Sequence, residues 1–136
     1  MDGDISSKSA MKLAIALKKE AKYVPGRRSF FRYRDLGVTA ATQGKIRAQV
    51  TSAVSGMNEP TGWHRHLCET QFVYVVKGWV DLEFEVGKTI RFSSGDSVMI
   101  PGGLPHQELQ ASDDLELVEV SLPAEMGTEN CDPPHA

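Results

Sequence analysis

The sequence predicts an all-β domain, an antiparallel sandwich or barrel, and three observations carry that prediction. From about residue 44 the apolar residues recur at every second position, the period of a strand with one buried face. Turn signals interrupt these runs at short, nearly regular intervals: KG at 77–78, VGK at 86–88, SSGD at 93–96, PGG at 101–103 and ASDD at 111–114. The length of 136 residues, with 40% hydrophobic and 24% charged content, suits one globular domain that builds its own core.

The elements follow in order. Residues 1–6 are polar. Residues 7–22 are rich in Ala, Lys and Leu, and Met11, Ala14, Ile15 and Lys18 share one helical face. A short N-terminal helix ended by VPG at 24–26 is expected, the alternative being an extended arm lying against a partner subunit. In KIRAQVTSAV the apolar set is Ile46, Ala48, Val50 and Val54. FVYVV at 72–76 is a continuous apolar run, expected of a strand covered on both faces. WVDLEFEV at 79–86 alternates, with Val80, Leu82, Phe84 and Val86 opposite Asp81, Glu83 and Glu85. DLELVEVSL at 114–122 is a further strand. The division expected is an N-terminal extension over 1–43, a barrel over 44–122 and a C-terminal tail over 123–136.

Charge and composition narrow the function. A net charge of −3 gives no electrostatic footprint for nucleic acid or an anionic membrane. No apolar run approaches the ~18 residues of a membrane span. Leu13 to Leu17 is too short an uncharged stretch for a secretory signal. Two scattered cysteines, Cys68 and Cys131, do not make a disulfide framework, so a cytoplasmic setting is expected.

The chemistry concentrates in TGWHRHLCETQFVYVVKGW, residues 61–79. On a strand, residues two apart face the same side, so His64 and His66 present two imidazoles together. A metal ion can use both. Taken alone, the pair could equally be two surface histidines. Downstream, four residues separate His66 from Gln71 and six separate Gln71 from Gly78. Then GDSVMIPGGLPHQELQ places Pro101, Gly103 and His106 at fixed offsets from Gly95.

These two stretches resemble the paired motifs of the cupin superfamily, G-x5-H-x-H-x3-4-E-x6-G and G-x5-P-x-G-x2-H-x3-N, at a short inter-motif spacing from Gly78 to Gly95. The resemblance covers about residues 44–122. It implies a double-stranded β-helix, the cupin or jelly-roll barrel, with a short helical or extended N-terminal arm. It also implies that His64, His66, the residue at position 71 and His106 meet inside the barrel around one divalent transition metal per chain: Fe, Mn, Ni, Cu or Zn. Small barrels of this kind commonly pair, which implies a homodimer built on residues 46–54 or on the N-terminal arm.

Three departures from the motifs stand out. Gln110 replaces the second motif's Asn, the first motif's leading Gly falls at Asn58, and Gln71 replaces Glu. The last touches the chemistry. A Gln amide oxygen coordinates but carries no charge, so the ion keeps nearly its full +2 and favours an anionic small-molecule ligand. Glu69 is the alternative ligand, and loss of the metal is a third reading, against which the three retained histidines argue.

Other residues have two readings each. Cys68 is a packing residue or a soft ligand. Trp63 and Trp79 wall a pocket or interface, or belong to the core. Glu108 or Gln110 faces the pocket as a partner of the ligands or a proton carrier. The run GRRSFFRYR at 26–34 receives an anionic group at the barrel mouth, or is a solvated strand. The function expected is a metalloenzyme acting on a small anionic oxygenated compound by dioxygenase-like or Lewis-acid chemistry. A non-catalytic ligand-binding or sensing protein and a metal-free isomerase or epimerase are the alternatives.

Overall fold

The computed structural model describes residues 10–57 and 59–135. Nearly all of its regular structure is strand: β1 (Val24–Pro25), β2 (Phe31–Asp35), β3 (Arg47–Ala53), β4 (His64–His66), β5 (Thr70–Lys77), β6 (Trp79–Glu85), β7 (Lys88–Ser93), β8 (Ser97–Pro101), β9 (Gln107–Ala111), β10 (Glu116–Leu122) and β11 (Thr128–Asn130). One turn of helix, α1 (Val38–Ala41), links β2 to β3. Among the described residues no helix is long and apolar enough to cross a membrane.

The strands form three antiparallel sheets. The largest runs β1-β2-β3-β10-β5-β8, a second runs β7-β6-β9, and β11 pairs with β4. Val73 and Val75 of β5 and Leu117 of β10 meet Val80 and Leu82 of β6 and Ala111 of β9, so the core lies between the two larger sheets. Val75 and Leu115 are fully enclosed, and truncating Leu115 to Ala costs about 2–5 kcal/mol. The turn at Gly78 is specific to glycine. Its φ is +73°, and an added Cβ would run into Ser112, Asp114 and the Leu115 backbone.

Of the alternation expected over 79–86, Val80 and Leu82 lie in the core and Phe84 packs against it, but β6 ends at Glu85 and Val86 is exposed. The strand's opposite face is drier than a solvated edge: Asp81 binds Arg91 at 2.8 Å and Glu83 accepts from Gln107 Nε2 at 2.7 Å. Two expectations need correction. Val73 and Val75 are buried, but Phe72, Tyr74 and Val76 stay roughly two-fifths exposed, so β5 is not covered on both faces in the single chain. In β3 the interior set is polar: Gln49 and Thr51 stand in register with Glu119 and Leu117, while Val50 pairs with Val118 on the other face. The apolar period was real, but it marks the outside of the barrel.

The arm takes the extended of its two expected forms, and the helical form is absent among the described residues. Residues 7–9 lie outside the described residues, and 10–22 run extended apart from a 3-10 turn at Lys18–Glu20. A helix this short needs an apolar surface to pack on. Here the arm is tied down by its backbone instead, through Lys12 N–H to Ala41 O, Arg34 to Ala16 O and Gln43 to Ala10 O. Leu13 and Ile15 remain exposed. At the other end, residues 128–130 are not a loose tail: Thr128, Glu129 and Asn130 pair with His66, Arg65 and His64.

Candidate metal centre

Main-chain hydrogen bonds bring the two histidine stretches together. His64 N–H donates to His106 O and His106 N–H to His64 O, each at 2.9 Å. One turn earlier, Gly102 N–H donates to Glu69 O at 2.9 Å and Gly103 N–H to His66 O at 2.8 Å. Gly102 must be glycine, because a Cβ there would overlap the Cys68 carbonyl. The PGG turn therefore seats His106 directly against β4.

His64, His66 and His106 are all buried, and their donor atoms lie within 4.8 Å of one another. The rings stand 4.6–5.3 Å apart between centroids. Each Nδ1 is engaged away from the cluster. His64 Nδ1 meets Gly62 O at 2.8 Å and His106 Nδ1 meets Leu104 O at 2.9 Å. Carbonyls only accept, so both rings carry their proton on Nδ1 and keep an Nε2 lone pair. His66 Nδ1 meets Thr128 Oγ1 at 2.9 Å, which holds the third ring in place, although a hydroxyl can donate or accept and so does not set its tautomer.

Gln71 and Glu108 complete the setting. Gln71 is buried, its Nε2 donates to Glu119 Oε1 at 2.9 Å, and its Oε1 has no protein partner. Glu119 also accepts from Gln49 Nε2 at 2.9 Å and Thr51 Oγ1 at 2.6 Å. Glu108 Oε2 lies 3.2 Å from His64 Nε2, yet that nitrogen has no aligned hydrogen bond. Two lone-pair bearers facing each other call for a cation or a proton between them. This donor set fits a first-row divalent ion: three imidazole nitrogens, one orphaned amide oxygen and a carboxylate alongside.

The electrostatics agree. Burial, reinforced by the neighbouring imidazoles, lowers His66 to about 4, and burial lowers His106. Both are neutral donors at physiological pH. Burial also acts to lower His64, but the Glu108 contact outweighs it and the net shift is upward. Glu108 shows the mirror image: burial pushes it up, but His64 and the other imidazoles hold it down at about 2.

His66, Gln71 and Glu108 open onto a cavity of about 410 Å³. Its walls include Phe31, Tyr33, Leu117 and Met126, and Arg27, Arg28 and Arg47 also line it. Burial raises the Tyr33 pKa, and its Oη accepts the Arg27 N–H at 3.1 Å, leaving the phenolic proton free to donate.

Several singled-out residues lie elsewhere. Glu69 is exposed and holds the chain through its backbone alone. Cys68 is buried, with its thiol on Thr70 O at 3.5 Å and its pKa raised by burial. Trp79 carries the Arg91 guanidinium 3.6 Å above its ring. Trp63 accepts the Cys131 N–H on its carbonyl, and Gln110 is exposed opposite Asp81. None of these five lines the cavity. Asn58 lies outside the described residues.

Sequence reasoning missed Glu119 and Thr128. Glu119 had a signal, because it continues the inward row of Leu115 and Leu117 and a charge there needs a reason. Thr128 had none, being a polar residue in a polar segment.

The cupin-domain family matches residues 54–121, from the loop after β3 to the end of β10. The chain belongs to the cupin family. No curated protein matches this cupin by sequence. Among solved structures it resembles KdgF from Halomonas sp., at 20% identity and a TM-score of 0.67 over 82% of this chain and 94% of that one. It resembles the polyketide cyclase RemF from Streptomyces resistomycificus at 19% identity and 0.71, over 91% and 89% of the two chains. It also resembles Fe(II)-HppE with an alternative substrate, at 17% identity and 0.63, over 81% and 60%. At these identities the likeness is one of fold.

Proposed function

We propose that this cupin is a metalloenzyme acting on a small anionic, oxygen-bearing compound. The observation that supports it most directly is the set of three buried imidazoles, each with Nδ1 engaged outward, together with the orphaned Gln71 Oε1, Gln71 sharing one cavity with His66 and a smaller one with His106. His64, His66, Gln71 and His106 hold one divalent ion, and Glu69 takes no part. The ion supplies Lewis-acid polarisation of a bound oxygen or, with a redox-active metal, dioxygenase-like chemistry.

The chain's own groups do the rest. The four neutral ligands cancel none of the ion's charge and the Glu108 carboxylate alongside offsets only one unit, so the remaining positive charge favours an anionic ligand. Glu108, ionised at neutral pH and reaching into the cavity, takes a proton from a bound C–H or O–H group. Leu117, Phe31 and Met126 shield the floor from water. The exposed row on β5 and the extended arm, with Leu13 and Ile15 uncovered, are surfaces for a second copy, so the enzyme works as a homodimer.

The test has two stages. Metal analysis of protein purified without chelators finds about one transition-metal ion per chain. Each metal form is then screened against catechols, β-diketones and keto acids by oxygen consumption and product analysis, with Glu108→Gln alongside. Turnover that Glu108→Gln abolishes while metal content stays constant supports the reading. Full metal occupancy with no conversion of any compound favours a ligand-binding protein.

A further inference from the structure

Arg28 and Arg47 present an anomaly. Both are half-buried at the cavity wall, and the Nε of each is buried without a hydrogen-bond partner. Arg28 spends one Nη2 contact on Thr61 O at 3.3 Å, and Arg47 spends one on the Met126 sulfur at 3.6 Å. Neither guanidinium meets a carboxylate among the described residues. Yet Glu108 and Glu119 line the same cavity, so this is not a shortage of acids. A buried guanidinium N–H left unmatched is costly, and proteins keep such groups for a ligand that completes them. Arg27 and the free phenolic proton of Tyr33 stand on the same wall. The other two arginines of the 26–34 run are occupied elsewhere: Arg32 stacks 4.0 Å above Tyr23 and Arg34 binds Ala16 O.

We propose that Arg27, Arg28 and Arg47, with Tyr33, form a carboxylate-binding subsite at the mouth of the barrel, opposite the histidine floor. The guanidinium fork matches a planar carboxylate. Three arginines against the two lining carboxylates leave one positive charge, which one carboxylate balances. The substrate class is thus a compact carboxylic acid with an apolar or aromatic body, whose opposite end carries hydroxyl, keto or phenolic oxygens. Phe31, Leu117 and Met126 receive the body. The inference deepens the proposed function and rests on it only for the oxygenated end, since the arginines bind carboxylate without the metal.

The test therefore uses metal-free protein, prepared by chelator dialysis, titrated calorimetrically with benzoate and with its neutral isostere benzamide. Benzoate binds, and benzamide binds at least about tenfold more weakly, as loss of a hydrogen bond to a charged group implies. Arg28→Gln and Arg47→Gln each lose at least about tenfold in benzoate affinity, while Arg32→Gln matches the wild type. Arg28→Lys, which keeps the charge but loses the fork, falls between the two and guards against a variant that fails to fold. Equal binding of benzoate and benzamide overturns the subsite, as does wild-type benzoate affinity in both Gln variants or no benzoate binding at all. Metal content is measured on each protein as purified without chelators, before the dialysis. A wild type that holds no metal but binds benzoate through Arg28 and Arg47 sinks the metal reading and supports the subsite. A protein that holds metal and ignores both arginine changes does the reverse.

Discussion

Gln71 donates its amide nitrogen to Glu119 at 2.9 Å and keeps its oxygen buried without a partner. A carboxylate only accepts, so Glu119 dictates which way the amide turns. The acid missing from the ligand set is present one residue further out. Glu119→Gln can meet either end of the Gln71 amide, which frees it to flip. We expect metal affinity to fall about 10–100-fold, as for other groups that orient ligands. A chelator competition titration measures it, and an unchanged affinity refutes the orienting role.

Gln71→Glu sets two carboxylates face to face. Without metal this costs about 1–3 kcal/mol through a buried charge left unsatisfied. With metal the added charge tightens binding and weakens affinity for small carboxylates such as oxalate or salicylate. The expected signature is a lower apo Tm together with a larger rise in Tm on metal addition. Glu69→Ala changes neither quantity. If Glu69→Ala strips the metal and Gln71→Ala retains it, the ligand assignment fails.

His106→Ala removes one of three nitrogen donors and should leave metal content at background. Thr128→Ala removes only the partner of His66 Nδ1, and its expected cost is about 10–100-fold in metal affinity with the fold intact. Equal metal content in wild type and His106→Ala would show that the cluster is not the site.

In the metal-free protein His66 sits at about 4, below its ordinary value of 6.5. Below pH 6.5 the unfolded chain takes up this proton and the folded chain does not. Stability should therefore fall as pH drops from about 6.5 to about 4 and gain nothing from this group above that window. Glu108, held at about 2, adds stability at neutral pH that is lost below about 4.5. His64, shifted upward, acts oppositely: its contribution is present below 6.5 and fades as pH rises. Denaturant titrations of wild type and His66→Gln across pH 4–7 separate these effects. A wild-type profile as flat as that of His66→Gln refutes the first.

The uncovered row Phe72, Tyr74 and Met99 and the arm's Leu13 and Ile15 predict a dimer. Sedimentation at micromolar concentration should show it. Phe72→Glu or Ile15→Asp should shift the population toward monomer, and a monomeric wild type at that concentration excludes this interface.

The barrel and its histidines were legible because both have a fixed period: two along strands, and set offsets around Gly78, Gly95 and Gly103. The polarity of β3 was misread because an interior that holds a site inverts the usual rule, and Gln49 and Thr51 point inward to bind Glu119. The sequence leaves the arm open between a helix and an extended run, and the extended form prevails because helix propensity counts for little without a surface to pack on. The arginines of 26–34 read as one cluster, but the fold divides them, sending Arg32 to Tyr23 and Arg34 to Ala16 O and leaving Arg27 and Arg28 at the cavity, where Arg47 joins them from β3 with no signal in the sequence. Thr128 is legible only once the chain closes on itself.

Two of the three imidazoles take their tautomer from carbonyls of the main chain, Gly62 and Leu104, each two positions earlier. A carbonyl survives any substitution of its own side chain, so drift at those positions leaves the nitrogen donors as they are. The oxygen side has no such protection, because its orientation depends on the side chains of residues 71 and 119. The centre thus divides into an inherited half and an adjustable half, and new chemistries in descendants of this chain have one natural place to begin.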